Sequence, residues 1–357
     1  MHQALRRAED FCKRIGIRTP ILLAPMAGAS APSLSIAVSN AGGLGSCGVL
    51  LMQPDEILVW SREVRSNSNG AFQLNVWIPD PAPVRDQEHE AKVREFLAQW
   101  GPEVPKEAGD AAPPDFDSQL SAMLEVSPPI LSSIMGLYPS HFVEKMKKRG
   151  ILWFANISTV AEARAAEAAG ADVIVAQGSE AGGHRGCFSA QDAVATQVGL
   201  FALLPAVVDA VRLPVVATGG IADARGVAAA LMLGASAAQI GTGFLRCPEA
   251  KIHPAWADAL GRAAPEDTMV SRVFSGRAGR SLTTEYVRAA TAKSAPEPAP
   301  YPVQRGLSAS MRAEGGKVGD VHRMQAWSGQ SAGLAKAIPA AAVLNDAWDG
   351  ARAHIEG

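Results

Sequence analysis

The sequence lacks the features that are typical of membrane, secreted and nucleic-acid-binding proteins. No apolar run reaches the roughly 18 to 20 residues that are needed to cross a bilayer. The N-terminal segment MHQALRRAEDFCKRIG lacks the uncharged core of a signal peptide. The 33 basic residues are scattered among 35 acidic ones, so the sequence offers no basic patch for a phosphate backbone. We therefore expect a soluble, cytoplasmic protein that binds neither nucleic acid nor a membrane.

Cysteines and metal-binding patterns are also scarce. The four cysteines are widely spaced and form no CxxC pair, which predicts neither a disulfide framework nor a zinc site. No spacing of histidines and carboxylates resembles that of a metal site, so no metal is expected. The thiols, which we expect to be reduced, belong to Cys12, Cys47, Cys187 and Cys247.

Aromatic residues are few, whereas glycine, proline and small aliphatic residues are abundant. The 357 residues include 20 aromatics, 34 glycines and 24 prolines. This composition favours a parallel α/β fold with many tight turns and argues against a β-sandwich. The length suits one large domain or two ordinary ones.

Eight short β-rich runs recur along the chain, each separated from the next by enough residues for a helix. Several of them are continuously apolar, as in strands that are buried on both faces of a parallel sheet. The pattern predicts an α/β fold of the (β/α)8 TIM-barrel type, with an open doubly wound sheet as the alternative. The runs are Ile21–Ala24, Gly45–Val49, Phe72–Trp77, Ile130–Met135, Ile151–Asn156, Asp172–Gln177, Pro214–Thr218 and Ala237–Gly241.

Two of the intervening helices have clear ends. The first, Thr159–Ala169, follows Ser158, a good N-cap residue, and stops at Gly170. The second, Asp223–Leu233, repeats this plan and ends at Gly234. Their similarity supports a repeated βα unit.

Two stretches interrupt the repetition. Residues 80–127 contain a predicted charged helix, Val84–Trp100, a link rich in proline and glycine, and a second short helix. Residues 247–323 contain helical pieces and the turn PEPAPYP, with no buried strand pattern. We predict that residues 1–246 and 324–357 form the barrel and that residues 247–323 form an inserted, mainly helical cap or substrate domain over its mouth.

The loops after the seventh and eighth predicted strands indicate a phosphate site. The loops 218–221 and 239–243 are glycine-rich and precede helices, so their backbone N–H groups can bind a phosphate, and Thr242 can add a hydroxyl. The absence of GxxxxGK[ST] argues for a bound cofactor rather than a hydrolysed nucleotide. The GxGxxG match at 43–48 enters a strand instead of leaving one, which argues against a dinucleotide fingerprint there.

His184 is the predicted catalytic residue. It lies among four glycines in the loop after the sixth strand, at the end of a barrel where catalytic residues occur. Glu180 is expected to orient this loop, and Glu180 and Arg185 are expected to shift the pKa of His184 from its ordinary value of about 6.5.

These motifs resemble those of the nitronate monooxygenases, formerly called 2-nitropropane dioxygenases. The segment AQGSEAGGHRG stands between APMAG and FQLN on one side and ATGGI and QIGTGF on the other, in the order of the family's class I branch. The later segments FSGRAGR and WSGQSAG also resemble family motifs. Two details depart from the pattern: Gly279 replaces an expected alanine, and Ile134–Gly136 lacks a phenylalanine.

The resemblance implies a barrel that holds FMN and a catalytic role for His184. It also implies oxidation of alkyl nitronates, such as propionate 3-nitronate, with O2 to a carbonyl product and nitrite through a flavin semiquinone. The expected partners are a nitronate or nitroalkane and O2, and a homodimer stays open. The implied FMN contacts are Met26, Asn75, Gln177, Gly182, Gly220, Gln239, Gly241 and Thr242.

Two other functions remain open. An FMN-dependent enoyl-acyl-carrier-protein reductase has a similar EAGGH loop but requires NAD(P)H. A non-catalytic flavin-binding module is the alternative from another class, because fold and cofactor do not establish turnover.

Overall fold

The computed structural model describes residues 2–29 and 31–357. Eight parallel strands form one sheet in the order β1-β9-β8-β6-β5-β4-β3-β2, and three short strands form a second, antiparallel sheet. The strands are β1 Ile21–Leu23, β2 Gly45–Gly48, β3 Phe72–Trp77, β4 Ile130–Ile134, β5 Leu152–Ile157, β6 Val173–Gln177, β7 Gly183–His184, β8 Val215–Thr218, β9 Ala237–Ile240, β10 Thr268–Ser271 and β11 Gly279–Leu282.

Fourteen α-helices are present in the described residues. They are α1 Gln3–Ile15, α2 Pro32–Ala41, α3 Pro54–Asn67, α4 Gln87–Leu97, α5 Phe116–Val126, α6 Ser140–Lys148, α7 Val160–Ala168, α8 Leu200–Ala210, α9 Ala224–Met232, α10 Pro254–Arg262, α11 Glu285–Ala290, α12 Val303–Leu307, α13 Ala309–Val318 and α14 Ala340–Glu356. Within the same residues, no helix combines the length and the apolar character needed to cross a bilayer.

The eight-stranded sheet closes into a barrel. The N–H of Leu23 donates to the carbonyl of Leu44 at 2.9 Å, and the N–H of Leu44 donates to the carbonyl of Ile21 at 3.1 Å, which joins the two edges. All eight predicted strands are present, and the predicted barrel is confirmed over the open sheet. Closure removes both exposed edges of the sheet.

The strand register brings polar residues to one end of the barrel. Gln177 at the end of β6 lies opposite Thr218 of β8, which lies opposite Gln239 of β9. Asn75 of β3 lies opposite Ser132 of β4 at the same end. Because parallel strands end together, the loops that follow them converge on one mouth.

Helix ends agree with the sequence prediction in part. Helix α7 is capped by Thr159, whose hydroxyl accepts the N–H of Glu162, whereas the predicted cap Ser158 instead donates its own N–H and hydroxyl to the Glu162 carboxylate. Gly170, where this helix was predicted to stop, has a left-handed conformation at φ 94°. Helix α4 begins only at Gln87 because the Asp86 carboxylate caps its first turn.

The segment 247–323 contains two strands that the sequence pattern did not indicate. Strands β10 and β11 pair with each other, and β11 pairs with β7 in the loop after β6. Each has only four residues, and the sequence of β11, GRSL, has no apolar alternation. Such short, polar strands have no periodic signature, and pairing with a distant loop has no local one.

The two interruptions of the βα pattern share a hydrophobic core. Helix α4 packs with α12, and its Val93 and Leu97 belong to one buried cluster with Phe274, Tyr286 and Leu307. Helix α5 packs instead on α3, and α14 packs on α2 and α9 of the barrel. The domain limits at residues 247 and 323 stay a prediction, but residues 87–97 contribute to the core of the predicted cap.

A helix cap in the barrel gives a first prediction. The carboxylate of Asp223 accepts the N–H groups of Arg225 at 3.1 Å and Gly226 at 3.2 Å at the start of α9. Asp223→Ala should lower the free energy of unfolding by about 1 kcal/mol because these groups lose their acceptor. The control is Asp223→Asn, which keeps an acceptor oxygen. Urea unfolding followed by circular dichroism measures both, and an equal loss for the two variants would contradict a capping role.

Candidate active site

A cavity opens at the carboxyl end of the barrel strands. It encloses about 1500 Å³ of unfilled space, including its open mouth. The segment 247–323 contributes Trp256 and Arg305 to its wall, so the cavity lies between this segment and the ends of the barrel strands. Every site residue that the sequence predicts lines it: Met26, Asn75, Gln177, Gly182, His184, Gly220, Gln239, Gly241 and Thr242.

The loops after β8 and β9 leave backbone donors free. Within the described residues, the N–H groups of Gly220 and Thr242 donate to no protein acceptor. Gly220 has φ 69°, a left-handed conformation that side chains rarely adopt. The hydroxyl of Thr242 accepts the N–H of Gly329 at 3.0 Å, and its own proton remains available. These donors suit a small anion such as a phosphate.

Side-chain amides line the adjacent wall. Gln239 accepts a hydrogen bond from the Gln73 amide at 3.2 Å, and Asn75 donates to the Ser132 hydroxyl at 3.0 Å. The Oδ1 atom of Asn156 is buried without a hydrogen-bond partner in the described residues. A buried polar atom without a partner is unfavourable, so a ligand with a polar edge would stabilise this wall. Asn156 was not among the predicted site residues, although it ends a predicted strand as Gln177 does.

Gln177 holds the loop that carries His184 through two side-chain hydrogen bonds. Its Nε2 donates to the His184 carbonyl at 3.1 Å, and its Oε1 accepts the N–H of Gly186 at 2.7 Å. The guanidinium of Arg185 donates to the Gln177 carbonyl at 2.7 Å. The carboxylate of Glu180 accepts the N–H of Leu200 at 2.9 Å, which ties the loop to the start of α8.

His184 is fixed between the barrel and the cap. It pairs with Gly279 of β11, and its Nε2 lies 2.7 Å from the hydroxyl oxygen of Ser275. Its ring lies between two indoles, with centroids 4.7 Å from Trp77 and 4.8 Å from Trp327. Its Nδ1 has no hydrogen-bond partner among the described residues.

Gly279 makes the contact with Trp327 possible. A Cβ at this position would lie 2.9 Å from the Trp327 ring, so an alanine would displace the indole that packs on His184. The departure from the expected family motif therefore has a packing reason.

His184 is neutral at physiological pH. Burial lowers its pKa to about 3, and the positive charges of Arg277 and Arg305 shift this pKa in the same direction. The expectation that Glu180 and Arg185 shift this pKa was wrong, because burial lowers it most and the charges that add to this effect are those of Arg277 and Arg305. Arg277 and Arg305 are close to His184 only through the fold, so no local sequence signal indicates them.

Arg305 brings a positive charge without a partner to the cavity wall. Its guanidinium makes no hydrogen bond or ion pair with the described residues, whereas Arg277 forms an ion pair with Asp80 at 3.2 Å. Arg312 donates to the Arg305 carbonyl at 2.8 Å and to Oε1 of Gln325 at 3.1 Å. The side-chain NH2 group of Gln325, another wall residue, has no hydrogen-bond partner among the described residues. The two side chains together suit an anionic ligand.

The low pKa of His184 predicts an imidazole that does not titrate near neutrality. In NMR spectra, its Cε1–H resonance, identified by its loss in His184→Asn, should stay constant between about pH 8 and pH 5. A lowered pKa favours the neutral form at every pH above it, so charging would begin only in acid. A resonance that moves with a midpoint near about 6.5 would show that burial does not control this group.

The comparisons with known proteins agree with this geometry. A sequence profile of the family described as "Nitronate monooxygenase" matches residues 9–348. A nitronate monooxygenase from Paraburkholderia phytofirmans is 39% identical over 92% of this chain and 91% of its own length. The structure of a nitroalkane oxidase from Streptomyces ansochromogenes is 33% identical with TM-score 0.87, over 95% of this chain and 98% of that one. The structure of FabK from Thermotoga maritima is 28% identical with TM-score 0.76, over 98% and 97%. With its barrel, its histidine loop and a match along nearly its whole length, the chain belongs to the nitronate monooxygenase family of oxidoreductases.

Proposed function

We propose that this enzyme binds FMN and oxidises alkyl nitronates with O2 to a carbonyl compound and nitrite. The observation that carries the proposal is the combination of free anion donors at Gly220 and Thr242 with a neutral, partly free imidazole at His184 in one cavity. A cytoplasmic location, with the four buried thiols reduced, belongs to the same proposal.

The residues of the cavity fit FMN. The free N–H groups of Gly220 and Thr242 would hold the phosphate, together with the Thr242 hydroxyl. The amides of Asn75, Asn156 and Gln239 would bind the polar edge of the ring system. Bound FMN supplies an acceptor for the electrons that the nitronate loses. A single anion-binding site, formed by Gly220 and Thr242, favours FMN over FAD.

His184 provides a base for neutral nitroalkanes. Its unprotonated form predominates above about pH 3, and the two flanking indoles and the Gln177 bond hold the ring and its loop in place. A base positioned in this way typically accelerates proton removal by about 10² to 10⁴-fold. A pre-formed nitronate has already lost this proton and needs no such base.

The positive side of the cavity favours anionic substrates. Arg305 and the amino group of Gln325 are available to a nitronate that carries a second negative charge, such as propionate 3-nitronate. Trp77 and Trp327 would cover the apolar part of the same molecule.

The experiment that tests the cofactor and the reaction compares a nitronate with the reduced nicotinamides as reductants of the bound flavin. Heating the purified protein should release FMN and no FAD. Under anaerobic conditions, a nitronate should change the visible spectrum of the bound flavin, whereas NADH and NADPH should not. Rapid bleaching by NADH would assign the protein to the enoyl-acyl-carrier-protein reductase alternative. No flavin reduction by either would favour the non-catalytic module.

Arg305 gives a prediction about substrate preference. Arg305→Gln should lower kcat/KM for propionate 3-nitronate by about 10 to 150-fold, the equivalent of one charged hydrogen bond. The loss for ethylnitronate should be smaller because it has no carboxylate. Arg62→Gln, which removes an exposed arginine on α3, is the matched control and should change neither value. Equal losses on the two nitronates would show that Arg305 does not recognise the second charge.

A further inference from the structure

Ser275 is completely buried, and its hydroxyl contacts three groups. The oxygen lies 2.7 Å from Nε2 of His184. It donates to the carbonyl of Arg277 at 3.2 Å and accepts the N–H of Arg277 at 3.3 Å. Because Ser275 and Arg277 are both buried, solvent does not replace a missing partner of this hydroxyl, so its proton and its two acceptor positions must match the groups around it.

The numbers of hydrogen-bond donors and acceptors around Ser275 favour one arrangement of the protons. A neutral imidazole carries one N–H, and a serine hydroxyl has one proton and two acceptor positions. If Ser275 donates its proton to the Arg277 carbonyl, its two acceptor positions receive the N–H of Arg277 and the Nε2–H of His184. Every group is then satisfied. The reverse arrangement, in which Ser275 donates to Nε2, deprives the Arg277 carbonyl of this donor.

We propose that Ser275 is a positioning residue that fixes His184 as the Nε2–H tautomer, so that Nδ1 is the atom that takes the α-proton of a nitroalkane. The inference rests on the proposed function. In this step the C–H bond breaks and the proton moves to Nδ1. The electron pair of that bond forms the C=N bond of the nitronate, and a nitro oxygen takes the negative charge. The imidazolium that results still donates a hydrogen bond from Nε2–H to the Ser275 hydroxyl.

The ring cannot readily exchange its two nitrogens by rotation. Trp77 and Trp327 pack against it from two directions. The His184 carbonyl is held by Gln177, and its backbone pairs with Gly279. The nitrogen that Ser275 does not contact, Nδ1, has no hydrogen-bond partner in the part of the chain that the structure describes. The structure thus assigns different roles to the two nitrogens.

The reverse tautomer would give the site a different chemistry. With Nδ1 protonated, His184 would donate a hydrogen bond to an anionic oxygen of the substrate and could not remove a proton through that atom. Loss of Ser275 would then affect a nitroalkane and its nitronate alike. The two tautomers therefore predict different kinetic patterns.

The first test observes the tautomer directly in the holoenzyme. Protein labelled with [15N]histidine is studied by long-range 1H–15N correlation, and His184→Asn identifies the signals of His184 among the seven histidines. We expect a protonated Nε2 and an unprotonated Nδ1. A protonated Nδ1 would overturn the proposal. This measurement needs no turnover, so it stands even if the proposed reaction is wrong.

The second test separates positioning from packing. Ser275→Ala should reduce kcat/KM for nitroethane by about three- to tenfold, because the tautomer is no longer fixed by this hydrogen bond. Oxidation of pre-formed ethylnitronate should be unchanged, and a second set of His184 15N signals should appear. Ser275→Thr, which keeps the hydroxyl, should restore the single set.

The matched control is Ser271→Ala. Ser271 is a buried serine of β10 whose hydroxyl has no partner among the described residues. This variant should keep both activities and the single set of signals. Unchanged nitroethane activity in Ser275→Ala, or equal losses on both substrates, would contradict the proposal. Loss of ethylnitronate oxidation in the wild-type protein would instead contradict the proposed function.

Discussion

The pairing of the Gly183–His184 strand with Gly279–Arg280 is the contact on which the active site depends. Through this pairing, the loop after the sixth barrel strand is hydrogen-bonded to strand β11 of the antiparallel sheet. The cap then supplies Ser275 to the imidazole, the segment that directly follows the cap supplies Trp327, and the barrel strands supply Trp77 and Gln177. A site that is assembled from two parts of the fold holds its base more rigidly than a loop could alone.

The positive charges near His184 favour the binding of an anion. Arg277 is almost completely buried and is balanced by Asp80, whereas the guanidinium of Arg305 has no hydrogen-bond or ion-pair partner among the described residues. Both charges, together with burial, keep His184 neutral. A nitronate in the cavity would reduce the repulsion between these cations and a protonated His184, so a bound anion and a proton on the imidazole would stabilise each other. The proposed chemistry produces this pair of charges together.

Much of the fold could be predicted because buried parallel strands are continuous apolar runs in the sequence. The glycine-rich loops and His184 could be placed because they follow those strands directly. The cap strands could not, since four-residue polar strands that pair with a distant loop have no periodicity. For the same reason the contact between His184 and Ser275, which are 91 positions apart, has no local signal. Ser158 and Thr159 are both suitable N-cap residues, so the sequence alone did not show that Thr159 caps helix α7.

The most direct measurement of the central claim compares wild type with His184→Asn on nitroethane and on ethylnitronate. If a neutral His184 removes the α-proton, the variant should keep its FMN and lose about 10² to 10⁴-fold in kcat/KM for nitroethane, with a much smaller loss for ethylnitronate. Equal losses on the two substrates would show that His184 orients the nitro group or the cofactor and is not the base.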